Sequence, residues 1–249
     1  MNPTTNDQDA ASQPFAIRVI SLTQSPRRAV FAEKAKTTLN WEFFDAHTSN
    51  TTGLTYTDRK AELHFGRAMT PGEIGCYASH YALWAFCAST GKPIIIFEDD
   101  VEPDWAFMEA LAQNYPQYAE IDFLRFWSLF DARRVTVDAI LDRKVVELLG
   151  DPRGMQGYLL TPAHAKRLLD GIHHMARPVD DEIDRVWQYG APNLVVDPPP
   201  LTVYEWPSEI GDRDSQFKRK ELPRLALKIV ERLRKEFYIA RRRIQLRAR

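Results

Sequence analysis

Three consecutive carboxylates, Glu98-Asp99-Asp100, follow directly on the apolar run Ile94-Ile95-Ile96-Phe97. A short apolar run of this kind suits a strand buried on both faces. The acidic groups then stand at its carboxyl end, where open α/β sheets bind ligands. Alternation along an extended chain sends Glu98 and Asp100 to one side and Asp99 to the other. Carboxylates this close repel one another unless a cation or hydrogen bonds offset the charge. Hard oxygen donors suit Mg²⁺ or Mn²⁺, which also hold the oxygens of a diphosphate. The competing reading is a helix N-terminus in which Asp99, Asp100, Glu102 and Asp104 act as caps.

Other residues suited to chemistry are spread along the chain. Arg28, next to Arg27, follows the first apolar run at a helix start, a place that favours anions. Glu73 lies in Thr70-Pro71-Gly72-Glu73, a capping box with proline at the first helical position, and could also face a ligand crevice. His80 sits in the middle of that helix. Pro178-Val179-Asp180-Asp181-Glu182 is a second acidic cluster, which serves either as a helix start or as a source of a general base. No histidine pair has metal-ligand spacing. The chain also lacks a Gly-x-Gly-x-x-Gly turn, a phosphate-binding Gly-Lys-Ser/Thr loop and a Gly-x-Ser-x-Gly elbow.

The elements that must position these groups read as alternating strands and helices. Phe15–Leu22 and Trp41–Ala46 are expected strands, with a helix between them opened by Ser25-Pro26 and reaching about Leu39. An excursion over 47–69 precedes the capped helix, which runs to about Ser89. Further expectations are a helix over Asp104–Tyr115, a strand over Asp122–Trp127 and a hairpin-like excursion over Asp131–Leu149. A strand over Gln156–Leu160 leads into a helix capped at Thr161-Pro162, and a last strand covers Pro192–Val196. Strand-helix-strand order predicts an α/β fold with a parallel sheet.

Composition limits the remaining choices. The 249 residues carry 33 basic and 34 acidic side chains, but residues 218–249 hold 13 basic against 3 acidic, leaving an acidic body. That balance argues against a nucleic-acid-coating protein and marks the tail for contact with anionic surfaces. Cys76 and Cys87 lie about 16 Å apart along one expected helix, too far for a disulfide, which suits a reducing compartment. The polar residues 1–14 read as a flexible leader with no secretory signal, so a cytoplasmic protein is expected. In the tail, Leu222, Leu225, Ile229, Leu233, Phe237, Ala240 and Ile244 draw one apolar stripe along a helix surrounded by arginine and lysine. A basic amphipathic helix suits the interface of an anionic membrane. The alternative is a helix packed on its own acidic domain.

Taken together, the segments over roughly 15–213 resemble glycosyltransferase family 25, the bacterial lipooligosaccharide glycosyltransferases. The resemblance rests on Val19-Ile20-Ser21-Leu22 with Ser25 and Arg28, on Phe43-Phe44-Asp45-Ala46, and on Met69-Thr70-Pro71-Gly72-Glu73-Ile74-Gly75-Cys76 with Ser79-His80 and Leu83-Trp84. It continues through Phe97-Glu98-Asp99-Asp100-Val101, Gly157-Tyr158-Leu159-Leu160-Thr161 and Pro178-Val179-Asp180. It implies a GT-A type, Rossmann-like nucleotide-sugar-binding domain, followed here by the C-terminal basic helix from about residue 214. It further implies transfer of a hexose, galactose first, from a UDP-sugar to a lipid-linked or oligosaccharide acceptor, with inversion, at the inner face of the cytoplasmic membrane. Asp100, with Glu98, is then the expected Mn²⁺ or Mg²⁺ site. Leu22, Arg28, Asp45, Glu73, His80 and Asp99 fall on the donor side, and Asp180 or Asp181 is the base, Asp180 favoured because it holds the motif position. The rival readings are a sugar nucleotidyltransferase on the same scaffold and a degenerate domain that binds saccharide or membrane without catalysis.

Overall fold

A computed structural model describes residues 13–204 and 222–247. An eight-stranded sheet runs in the order β2-β1-β4-β9-β6-β11-β8-β7. Its strands are β1 (Ala16–Ser21), β2 (Glu42–Asp45), β4 (Ile94–Glu98), β6 (Phe123–Arg125), β7 (Arg134–Ile140), β8 (Arg143–Leu148), β9 (Gly157–Leu160) and β11 (Leu194–Asp197). The pairs β1–β2, β1–β4 and β6–β11 are parallel, whereas β9 runs antiparallel to both β4 and β6. The sheet is therefore mixed, which corrects the expectation of a parallel one. Gly157–Leu160 is buried throughout, and a strand buried on both faces carries no sequence signal for its direction.

β4 is central, and its alternation divides the core. Ile94 and Ile96 join the cluster under α3 (Pro71–Thr90) and α5 (Pro162–Gly171). Ile95 and Phe97 join the opposite cluster under α4 (Trp105–Asn114). All four are fully buried, each contributing about 1.5–3 kcal/mol as a large apolar side chain.

Local rules account for most of the helix ends. α3 begins with the full capping box, Thr70 accepting from the Glu73 N–H while Glu73 accepts from the Thr70 N–H. Asp104 and Thr161 cap α4 and α5 through their side chains. α1 (Arg27–Lys34) stops short of Leu39. Thr37 and Thr38 instead bond the Glu109 carboxylate, and the Leu39 N–H donates to Thr37 Oγ1. Hydroxyl side chains that take local backbone bonds compete with the helix in this way. α3 also lies hard against the loop after β2. A Cβ on Gly75 would sit 2.3 Å from the His47 carbonyl oxygen, so only glycine lets the helix approach that closely.

Three segments take a more definite form than the sequence pattern gave them. Of the four acidic residues that could cap a helix, Asp104 caps α4, whereas Asp99, Asp100 and Glu102 precede it in a turn and a strand. Asp99 and Asp100 form a turn into β5 (Val101–Pro103), which pairs antiparallel with β12 (Leu201–Val203) after the three prolines. The excursion over 47–69 contains β3 (Thr55–Tyr56) and α2 (Asp58–His64), with β3 paired to β10 (His174–Met175). The acidic segment near 180 forms the short helices α6 (Val179–Ile183) and α7 (Val186–Tyr189).

The last helix, α8 (Leu222–Arg247), lies on the body through a charged face. Arg242 forms two hydrogen bonds with the buried Glu147, at 2.9 and 2.5 Å. Glu231 receives Arg177 and Arg185, and Lys235 pairs with Asp151. The Arg224 guanidinium donates to the Phe65 carbonyl and covers Gly66, whose φ of +108° and crowded Cβ position both require glycine. Ile239 is buried in the same contact. Replacing Arg242 with alanine should leave a carboxylate that is 1% exposed without its ion-pair partner. Breaking a fully buried pair costs about 3–5 kcal/mol. Arg242 itself is 21% exposed, so screening reduces the expected loss to about 2–3 kcal/mol, measurable by urea denaturation.

Candidate active site

The carboxyl ends of β1, β2 and β4 point the same way and bring three turns together. Strand alternation then sorts the acidic residues. Glu98 continues the Ile94–Ile96 side and meets α3, with Oε1 3.3 Å from His80 Nε2. Asp99 continues the Ile95–Phe97 side, where Ser21 Oγ donates to Oδ2 at 2.5 Å and Arg27 to Oδ1 at 3.3 Å. Asp100 Oδ1 is buried and has no hydrogen-bond partner among the described residues. Burial, reinforced by the neighbouring Glu98 and Asp99 charges, pushes its pKa up to about 7.

An orphaned, buried carboxylate oxygen beside two other acidic groups fits a divalent cation. Asp100 offers the free oxygen, and Glu98 a second carboxylate whose charge acts on it. Asp99 is already held by Ser21 and Arg27.

His80 is fully buried and sits in a relay. Trp84 Nε1–H donates to the Tyr158 hydroxyl oxygen at 2.9 Å, and indole nitrogen is a donor only. The Tyr158 O–H then donates to His80 Nδ1, also at 2.9 Å. His80 Nε2 keeps its proton and donates to Glu98. This arrangement gives every group a partner and aims Glu98 toward the turn. Cys76 Sγ, one helical turn before His80, completes a trio whose ligand-type atoms lie within 4.8 Å of one another. His80 is buried and Cys76 and Glu98 are half-buried in this trio.

On the β1–β2 side, the Arg28 guanidinium bonds the Ser21 carbonyl at 2.7 Å and pairs with Asp45. It also lies over the Phe43 ring, 4.9 Å from the centroid. The Arg28 hydrogen bond holds the Asp45 carboxyl below the usual carboxylate range. Leu22 contributes its carbonyl to the turn, accepting from the Ser25 N–H at 2.9 Å. The Arg27 N–H lies 3.3 Å from Ser25 Oγ, while Pro26 holds the N-cap position of α1 without a side-chain cap.

Glu73 has a structural position. It is 4% exposed and grips Arg67 with both oxygens, at 2.7 and 2.6 Å, while closing the capping box. Arg67 in turn feels the charges of Asp180 and Asp181. At α6, Asp180 Oδ1 accepts from the Asp181 N–H, and the Asp181 carboxylate pairs with Arg153 at 2.9 Å. Burial and the Asp180 charge raise Asp181 to about 7 against the opposing pull of Arg153.

The segment 149–156 ties the two acidic clusters together. The Glu98 N–H donates to the Gln156 carbonyl at 3.0 Å. Three residues earlier, Arg153 adopts a left-handed backbone, φ +48°. Its N–H donates to Asp184 Oδ2 at 2.8 Å and its guanidinium reaches Asp181. Beneath the segment, the 1% exposed Arg125 pairs with Asp184 at 2.5 Å. Burial raises Asp184 to about 6, with Arg125 and the Arg153 N–H opposing. Sequence reasoning passed over Arg153, Arg125, Asp184 and Arg67. Only the Arg153-Gly154 step hinted at an unusual turn.

The fold and this site define an α/β protein that presents a turn of three carboxylates at the carboxyl ends of parallel strands. The profile of glycosyltransferase family 25 (LPS biosynthesis protein) matches residues 15–183, and the chain belongs to that family. It is 30% identical over 183 residues to a "Putative glycosyltransferase" of Haemophilus influenzae, covering 67% of this chain and 60% of that one. It is 29% identical over 165 residues to the lipooligosaccharide biosynthesis protein lic2B of Haemophilus influenzae, with 60% of each chain covered. A shorter match, 46% over 37 residues, joins 14% of this chain to 6% of the human inactive glycosyltransferase 25 family member 3. The chain thus spans about three fifths of the length of the two bacterial relatives.

Proposed function

We propose that the protein is a metal-dependent hexosyltransferase of LPS or lipooligosaccharide biosynthesis. It moves a sugar, galactose first among the candidates, from a UDP-sugar to a lipid-linked or free oligosaccharide, with inversion, on a GT-A type scaffold at the cytoplasmic face of the membrane. The observation that carries the reading is the buried, unpartnered Asp100 oxygen two residues after Glu98, in the acidic run that follows β4.

In this reading Asp100 and Glu98 hold Mn²⁺ or Mg²⁺, which when bound offsets the charge that grows on the departing diphosphate. The His80–Tyr158–Trp84 relay keeps Glu98 in place. Asp99 fixes Arg27 and the end of β1, so that the start of α1 faces the phosphates with its N–H groups and Arg28. The second acidic cluster takes the proton of the acceptor hydroxyl. Asp181 is the favoured base because its pKa, pushed up to about 7, suits proton uptake near neutrality. Asp180 holds the family position and orients the Asp181 backbone.

A screen of nucleotide sugars with and without Mn²⁺ tests the reading. UDP and UDP-hexoses should raise the thermal midpoint only with the cation present, and turnover should release UDP. Release of pyrophosphate would assign nucleotidyl transfer instead. A second reading is favoured by the match to a relative named inactive: a saccharide-binding domain without turnover. It predicts nucleotide-independent binding of oligosaccharide and no UDP release from any donor.

A further inference from the structure

α8 has two opposed faces. At 100° per residue, Arg224, Glu231, Lys235 and Arg242 form the side that bonds to the body, and the opposite side lies about half a turn away. That opposite side carries Leu222, Leu225, Ile229, Leu233, Phe237 and Ile244, which are 83, 55, 51, 65, 73 and 70% exposed. In a helix packed on its own domain, the apolar stripe normally faces inward. Here the charged face is docked, and the apolar face points away from the domain.

The edges of the exposed stripe are basic. Arg232 and Arg243 flank it on one side, Arg234 and Arg241 on the other, and all four are exposed. Glu236 is the single acidic residue on this outward half of the helix. We infer that the outward face of α8 is a docking surface for an anionic lipid bilayer, with the apolar side chains entering the interface and the arginines reaching the headgroups. The inference deepens the partner side of the proposed function and depends on that reading only for its purpose, since lipid binding needs no donor or turnover.

Three observations favour a bilayer over other occupants. The body already holds the opposite face, so no further rotation onto the domain can cover the stripe. Pairing two copies face to face would set arginine edges against arginine edges, a repulsion that an anionic surface turns into attraction. The helix spans 26 residues, about 39 Å, yet no helix among the described residues is long and apolar enough to cross a membrane. A helix with these properties lies flat in the interface, with its basic stems extended toward lipid phosphate.

The test uses the full chain and vesicles of phosphatidylcholine, with or without phosphatidylglycerol, in a sedimentation assay without nucleotide. The wild-type protein should pellet with the anionic vesicles and lose at least tenfold in apparent affinity with the neutral ones. The double variant Leu233→Gln/Phe237→Gln, altered only at exposed positions, should keep its thermal midpoint and lose at least tenfold in binding. Should that variant fold poorly, the variant Arg232→Gln/Arg234→Gln/Arg241→Gln/Arg243→Gln carries the same test. It should lose the preference for anionic vesicles. Wild-type protein that stays in solution, variants that pellet like the wild type, or a wild-type dimer that the double variant dissociates would each overturn the inference. UDP release measured on the same samples separates this outcome from failure of the transferase reading.

Discussion

Asp100→Asn should abolish the cation-dependent stabilisation by UDP and lower turnover by about 10³-fold, on the order of 4 kcal/mol of transition-state stabilisation. The carboxamide keeps the volume of the side chain but removes the negative charge that a hard cation needs. The fold should survive, because the Asp100 Oδ1 atom has no hydrogen-bond partner among the described residues to lose. In the absence of metal the variant should even gain slightly in thermal midpoint, since it relieves the repulsion from Glu98 and Asp99 that raises the Asp100 pKa. Calorimetric titration of UDP with Mn²⁺ present and absent checks this. A variant that binds UDP with unchanged metal dependence would sink the assignment. Asp99→Asn should behave differently, weakening the Ser21 and Arg27 contacts and lowering donor affinity together with stability.

Asp181→Asn should reduce kcat on the order of 10²–10⁴-fold with donor affinity retained, as expected for loss of a general base. In the wild type, kcat/KM should rise with pH and level off above about 7, the value to which burial and Asp180 push Asp181. The variant should lose that limb. The stability of the protein has the opposite sign. The folded pKa lies above the ordinary 3.8, so between about pH 4 and 7 the folded chain holds a proton that the unfolded chain releases. Stability therefore falls as pH rises through that window, and Asp181→Asn should flatten the fall. Asp180→Asn with full loss of turnover and Asp181→Asn with none would transfer the role to Asp180.

Much of the scaffold was legible because local physics decides it. The Thr70–Glu73 box, the Asp104 and Thr161 caps and the run Ile94–Phe97 each state their structure within a few residues. The direction of β9 was not legible, nor was the pairing of Val101–Pro103 with Leu201–Val203, about a hundred residues away. Short strands like these are specified by their partners. Within the site, the carboxylate turn showed in the sequence because three acidic residues directly after four apolar ones are hard to place anywhere else. The relay behind it was hidden. Tyr158 and Trp84 look like ordinary core aromatics, and only the folded geometry shows their polar atoms converging on His80. For α8 the apolar stripe was visible but its orientation was not, because a face of arginine, lysine and glutamate reads as solvated until Glu147, Arg177 and Asp151 are seen to meet it.

The segment between β8 and β9 has a mechanical consequence. At one end its Gln156 carbonyl is fastened to the Glu98 backbone, and at the other its Arg153 grips Asp181 and Asp184. Arg125, buried below, clamps the Gly154 carbonyl and Asp184 at once. The two acidic clusters are therefore parts of one linkage, joined through a few peptide units over a rigid pivot. Any displacement of this segment moves the group assigned to the leaving diphosphate and the group assigned to the acceptor proton in concert. Neither can drift out of register without carrying the other with it.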